Sequence, residues 1–271
     1  MTRPGRLVVC PTPIGNLEDV TLRVLAALRE ADVLACEDTR TTKVLLDRYG
    51  VSAERVRYDS HAERRTAPRL VERMLAGQTV ALVSDAGMPL VSDPGFVLVQ
   101  AAVAAGLAVE VLPGPSAALT ALVASGLPNE TWRFAGFLPR KRGELTTVFA
   151  SEETLVAFES PRRTGATLAV LAQLDPERPV AVCRELTKIH EEIVRGSAAA
   201  LAARYADEGP RGEVVLVIGA AQPGAADSAA ALAAVSRLVE AGARPRTAAS
   251  VVAELTGLSA NALYGGAGGD S

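Results

Sequence analysis

Short runs of Val, Leu and Ala, each closed by a turn rich in Gly, Pro or acid, recur along the chain and leave it few ways to fold. RLVVC (6–10), DVLAC (32–36), TVALV (79–83) and AVEVL (108–112) are too short for helices and have the composition of buried strands. Between them lie stretches with helical spacing. Residues 17–30 place Leu22, Leu25 and Leu28 on one face, 39–49 end at Gly50, and 62–76 are closed by Gly77. Asp93 reads as an N-cap and Pro94 as the first residue of a helix ending near Gly106. LPGPSA opens one more helix, ending at Gly126. This alternation predicts a mostly parallel, doubly wound α/β sheet. Aromatic residues make up only 4% of the chain, so the core must be built from Val, Leu and Ala.

A length of 271 residues favours two domains. The segment 113–135 reads as the crossing into the second, with strands near 154–159, 179–183, 191–195 and 213–218 and a helix after Ser160-Pro161. AAQPGAADSA (220–229) reads as a linker to two helical segments, 229–241 and 246–256, and the closing GGAGGDS is expected to be disordered. The expected division is 1–115, 116–221 and 222–271.

A net charge of −3 excludes a wholly basic nucleic-acid binder but not a local basic face. No apolar run is long enough to span a bilayer, and the apolar stretch before Pro11 is too short for a secretory signal. Cys10, Cys36 and Cys183 end apolar runs without metal-ligand spacing, as expected of buried, reduced thiols in a cytoplasmic protein. Two histidines, His61 and His190, cannot build a His-based zinc site, and no metal is expected. No G-x-G-x-x-G is present, which removes most support for a dinucleotide-binding oxidoreductase.

The turns themselves point to function. PTPIGN (11–16), ACEDTRTTK (35–43), SDAGMPLVSDPG (84–95) and LPGPSA (112–117) all fall at strand ends, where open α/β sheets bind ligands. The third is the most specific: Ser84, Asp85, Gly87 and Ser92 mix tight backbone with small acceptors. Asp85 can accept hydrogen bonds from ribose hydroxyls or an amino group, and Gly87 permits close backbone approach. Glu37, Asp38, Arg40 and Lys43 either line that cleft or form a helix cap with a Glu37–Arg40 pair. FESPRR sets Glu159 at a strand end and Arg162 and Arg163 in the first turn of a helix, where they oppose its dipole and suggest an anion nearby. RELTKIHEE (184–192) groups Arg184, Glu185, Lys188 and Glu191 after another strand. GFLPRKRG places Arg140, Lys141 and Arg142 beside Phe137, a candidate footprint for RNA.

Taken in order, PTPIGNLEDVT, ACEDTRTTKVLL, LVSDAGMPLVSDPG, LPGPSAALTAL, SGLP, GFLPRK, FESPRR and RELTKIHEE resemble the tetrapyrrole methylase superfamily. These are the class III methyltransferases that use S-adenosylmethionine (AdoMet). The match is closest to the ribosomal RNA small subunit methyltransferase I family and covers residues 6–219.

The resemblance implies two α/β domains with AdoMet in the cleft between them, and 2′-O-methylation of a cytidine ribose in the decoding region of 16S rRNA. Carried over by position, the cofactor meets Pro13, Ser84, Asp85, Ala86, Gly87, Met88, Ser92, Ser116 and Ala117, and from the second domain Phe158, Leu186, Glu213 and Val214. Candidates for a base or hydroxyl-orienting group are Glu37, Glu159, Glu185 and Lys188. Candidates for RNA phosphate contacts are Arg40, Arg140, Lys141, Arg162 and Arg184. The small ribosomal subunit is the implied partner, and a homodimer the implied assembly. The tail, AASVVAELTGLSANALY (248–264), resembles a small helix-turn-helix-like module but lacks the basic residues often seen around SANAL. Competing readings are a precorrin-type tetrapyrrole C-methyltransferase of the same fold and a non-catalytic RNA-binding assembly protein.

Overall fold

The computed structural model describes residues 5–221, 225–256 and 258–266. Its contacts divide the chain into two compact units, Met1–Ala124 with Cys183–Ile193, and Ser125–Val182 with Val194–Ser271.

The first unit runs β1 (Arg6–Val9), α1 (Leu22–Glu30), β2 (Val33–Cys36), α2 (Thr39–Arg48), β3 (Glu54–Arg57), α3 (Glu63–Leu75), β4 (Thr79–Val83), α4 (Phe96–Ala104), β5 (Ala108–Val111) and α5 (Ala117–Ser125). Its sheet has the order β3-β2-β4-β1-β5, with all four neighbouring pairs parallel. Strand residues alternate between two cores, as a pleat of period two requires. Val8, Leu34 and Ala81 pack with α1 and α2. Leu7, Val33, Val80 and Leu82 pack with α3 and α4 on the other face. The neighbours β1 and β4 therefore send their chains to opposite faces, which opens a crevice at their carboxyl ends.

Three local expectations change. The helix expected over 17–30 is a 3-10 turn at Leu17–Asp19 followed by α1, because the Thr21 side chain accepts from Val24 N and restarts the helix. Asp93-Pro94 does not open α4; Gly95, at φ 142°, occupies the cap, and Asp93 is left for other work. β3 is an unexpected strand whose exposed, charged sequence ERVR carries no apolar signal.

The second unit contains β6 (Trp132–Phe137), α6 (Arg142–Phe149), β7 (Thr154–Glu159), α7 (Pro161–Leu174), β8 (Pro179–Arg184), β9 (Glu192–Ser197), α8 (Ala198–Arg204) and β10 (Val214–Ile218). Its sheet has the order β6-β7-β10-β8-β9 and is not parallel throughout: β6 pairs β7 parallel, but β10 pairs β7 antiparallel. The connection 185–191 between β8 and β9 is also too short for a parallel crossover.

Among the described residues the C-terminal appendage has three helices, α9 (Ala225–Glu240), α10 (Pro245–Thr256) and α11 (Ala260–Gly266). They close on a small core of Val235, Ala248, Val252 and Leu263. Helix α9 begins inside the stretch expected to be linker, and α11 takes in Gly265 and Gly266 of the GGAGGDS end expected to be disordered; residues 222–224 and 267–271 lie outside the described residues.

Candidate functional site

The turns at the strand ends of the first unit are fastened to one another. Thr12, after β1, donates its N–H to the Gly87 carbonyl at 2.8 Å and accepts the Gly87 N–H at 2.9 Å. The Thr12 hydroxyl donates to the Ser84 carbonyl at 3.0 Å. Gly114, after β5, lies so close to Pro11 that a Cβ would sit 2.5 Å from the proline Cγ. From β2, the Asp38 N–H donates to Asp85 Oδ1 at 3.0 Å. A fifth segment arrives from far along the sequence: the Asn16 N–H donates to Thr187 Oγ1 at 3.0 Å. Gly15 is needed there, since its Cβ would fall 2.5 Å from Lys188 Cγ and 2.9 Å from the Leu186 carbonyl.

The backbone of these turns is held in costly conformations. Leu90, Ser92, Glu185 and Thr187 are the non-glycine residues at positive φ among those described, and all four lie in the two long turns, 84–95 and 185–191. Such strain persists only where surrounding structure enforces it. Gly87, at φ 76°, adopts a left-handed conformation that side-chain-bearing residues rarely take, and a Cβ there would stand 3.3 Å from Ile14 Cγ2.

Acids gather on the same turns. Burial raises the Glu37 carboxyl above the usual range and Asp85 raises it further, while a hydrogen bond from the Asp85 backbone pulls it back. Burial raises the Asp85 carboxyl, while the hydrogen bond from the Asp38 backbone pulls it back and the Asp38 charge adds a smaller push upward. Asp93 is pushed up to about 6 by burial, then by Glu37 and Asp85. Asp38 goes the other way, to about 2, because its Arg40 partner binds it through side chain and backbone. The helix-cap alternative thus holds for Asp38, which accepts from Arg40 N at 2.7 Å; the arginine pairs with Asp38 at 2.7 Å rather than with Glu37. Cys10 and Cys36 are buried, their thiols pushed up to about 12 and about 11 by burial. No three His, Cys, Asp or Glu among the described residues are grouped to hold a metal ion.

The first unit therefore brings together most of the expected cofactor set. Pro13, Ser84 and Gly87 are buried on the turns, Asp85 and Met88 half-buried, and Ala86 and Ser92 exposed. Ser116 accepts from Thr120 N at 2.9 Å at the start of α5, next to half-buried Ala117. Leu186 is buried beside Gly15. Two expected bases, Glu185 and Lys188, pair with each other at 2.9 Å, and Arg184 pairs with Glu192 at 2.9 Å. Glu185 and Lys188, with Asn16, Glu18, Arg48 and His190, line a hollow of about 610 Å³.

The second unit holds the remaining candidates. Phe158 pairs with Val215 and Glu159 with Val214, so exposed Glu213 and buried Val214 sit at the same end of the sheet. Glu159 is a poor base. Its oxygens accept from Ser160 N at 2.7 Å and Thr167 Oγ1 at 2.6 Å, and Arg163 lies 3.3 Å away, all in a buried setting. Arg163 also donates to the Leu138 and Pro139 carbonyls and so fixes the basic turn. Arg140, Lys141 and Arg162 are exposed, Lys141 reaching Glu144 at 3.2 Å. Thr12, Gly114 and Thr187 lie inside the motif turns but were given no role by sequence reading, and Arg163, read there as facing an anion, instead grips backbone carbonyls and Glu159.

Solved structures share this architecture of a doubly wound first sheet and a mixed second sheet. Uroporphyrin-III C-methyltransferase from Thermus thermophilus, complexed with S-adenyl homocysteine, superposes with a TM-score of 0.57 at 23% identity over 79% of this chain and 97% of that one. The family model of tetrapyrrole (corrin/porphyrin) methylases matches residues 6–202. Ribosomal RNA small subunit methyltransferase I of Mesorhizobium japonicum is 46% identical over 264 residues, 95% of this chain and 90% of the relative. The protein of that name from Xylella fastidiosa is 42% identical over 277 residues, 98% and 100% of the two chains. The chain belongs to the tetrapyrrole methylase family, in its ribosomal RNA small subunit methyltransferase I branch.

Proposed function

We propose that this protein transfers a methyl group from AdoMet to the 16S rRNA of the small ribosomal subunit, at the ribose 2′-hydroxyl of a cytidine in the decoding region. The observation that carries this reading is the fastening of the turns at the β1/β4 crevice, which bear most of the expected cofactor residues, in a chain so similar along its length to relatives named ribosomal RNA small subunit methyltransferase I.

The residues present suit the cofactor. AdoMet carries a sulfonium, an ammonium and ribose hydroxyls, and Asp85 with the neighbouring acids offers acceptors and negative charge to such donors. Gly87 lacks the side chain that would crowd the turn, and Met88 and Leu90 pack against the core. When bound, the cofactor supplies an electrophilic methyl group.

The chain's own task is alignment. Holding the ribose oxygen in line with the methyl carbon and sulfur is worth about 7–11 kcal/mol in favourable cases. A positioned base adds about 10²–10⁴-fold. Glu185 and Lys188 fit the role of orienting the hydroxyl and taking its proton, since the strained turn 185–191 fixes them against Gly15 and Asn16. Glu37 is a third candidate; Glu159 is set aside because its oxygens are engaged. Arg40, Arg140, Lys141, Arg162 and Arg184 are the phosphate-contact candidates.

The working form in this reading is a homodimer. Phe96 and Val103 on α4, Val111 on the edge strand β5, and Leu119 and Val123 on α5 are each at least half exposed, an apolar surface that a second copy would cover. The function is tested by incubating the protein with methyl-labelled AdoMet and small ribosomal subunits, then digesting the RNA to nucleosides. Label in 2′-O-methylcytidine is expected. Label on a base, on a tetrapyrrole instead of RNA, or nowhere would contradict it.

A further inference from the structure

We propose that Phe137 is a stacking platform for an unpaired base of the RNA substrate, with Arg140 and Arg162 holding phosphates beside it. This deepens the RNA-methylating reading and rests on it.

Phe137 ends β6, the edge strand of the second sheet. In a regular strand it would face away from Phe134, three residues earlier. Here Phe134 pairs with Val156 and Phe137 with Phe158, so β6 spends one residue more than β7 over the same stretch. Gly136, at φ 63°, supplies the left-handed step at this bulge. The extra residue returns Phe137 to the face of Phe134 and Phe158. Bulges of this kind re-aim a side chain, and here the re-aimed side chain is an aromatic ring left 66% exposed.

The ring is nevertheless held. Phe158 lies edge to face with Phe137 at 5.5 Å between centroids and with Phe134 at 5.1 Å. Immediately after Phe137, Arg163 grips the Leu138 and Pro139 carbonyls, so the chain there is anchored to the start of α7. An exposed aromatic ring on an anchored support loses little freedom when a flat ligand stacks on it.

Charge identifies the occupant. Arg140 follows the end of β6 and Arg162 follows the end of β7, the adjacent parallel strand. Both are exposed, and among the described residues neither pairs with an acid. An aromatic ring flanked by free guanidinium groups matches single-stranded nucleic acid, whose bases stack while its phosphates find cations.

The test uses a short single-stranded RNA carrying a fluorescent aminopurine, titrated with the full chain and with Phe137→Leu and Phe137→Trp. The parent should quench the aminopurine. Phe137→Leu should lose the quench and bind about tenfold or more weakly, as expected for a lost base–aromatic stack. Phe137→Trp should restore both, and AdoMet affinity should be equal in all three proteins. Unchanged RNA binding and quench in Phe137→Leu, with methyl transfer by the parent intact, would overturn the platform alone. So would a fall in AdoMet affinity with RNA affinity kept, since the ring would then serve the cofactor. A parent that neither binds the RNA nor methylates small subunits would overturn the platform and the RNA reading together.

Discussion

Asn16 and Thr187 lie 171 residues apart in sequence, yet the Asn16 N–H donates to the Thr187 hydroxyl at 3.0 Å. That bond ties the turn after β1 to the strained turn between β8 and β9, which carries Glu185 and Lys188. Gly15 is what lets the two segments meet.

Gly15→Ala should therefore injure catalysis more than folding. Its Cβ would stand 2.7 Å from Thr187 Oγ1 as well as 2.5 Å from Lys188 Cγ, and the 186–188 segment must move away. If that turn carries the proposed catalytic pair, a displacement of that size can cost about 10²-fold in rate. Turnover and the thermal midpoint, measured together, check this. A collapse of the midpoint with turnover per folded molecule unchanged would refute it.

Lys188→Met and Glu185→Gln should each slow methyl transfer without abolishing it. If alignment supplies most of the barrier reduction, losing a base costs no more than about 10²–10⁴-fold. Single-turnover rates with saturating AdoMet are the measurement. Parent rates in both variants would remove the pair from the mechanism.

Asp93 gives a stability signature with a definite sign. Its carboxyl rises from 3.8 to about 6 on folding, chiefly through burial. Between those values the folded chain keeps a proton that the unfolded chain has released, so stability falls as pH rises through that window. Asp93→Asn, which mimics the neutral acid, should stabilise the cofactor-free protein near pH 7 by of order 1 kcal/mol and have little effect near pH 4. Denaturant melts at the two pH values decide it; an equal effect at both would show that Asp93 carries no shifted charge.

Arg162→Glu should weaken RNA binding and reduce the salt slope by about 1, as expected for one lost phosphate contact. Affinities measured across a salt series provide the check. An unchanged slope would exclude a phosphate contact at Arg162.

How much of this was legible in the sequence follows from where the signals are local. β1, β2, β4 and β5 were readable because apolar runs and Gly/Pro turns lie within a few residues of each other. β3 was not, because an exposed strand of Glu and Arg has no apolar pattern. β6 was hidden by the Gly136 bulge, which breaks its alternation. Asp93-Pro94 misled because a helix start was read from a local signature, whereas the Gly95 backbone sets the real one and leaves Asp93 beside Glu37 and Asp85. The motif blocks named most of the turn residues of the first unit. They did not reveal the bonds that join those turns, since Thr12–Gly87 and Asn16–Thr187 pair residues far apart in sequence, which no local motif links.

The central claim is that the turns after β2 and β4 hold AdoMet through Asp85. It is tested most directly by calorimetric titration of S-adenosylhomocysteine into the parent and into Asp85→Ala. The parent should bind, and the variant, stripped of a charge-assisted acceptor, should bind about tenfold or more weakly while staying folded. Equal affinities would place the cofactor elsewhere, and no binding by the parent would contradict the methyltransferase account itself.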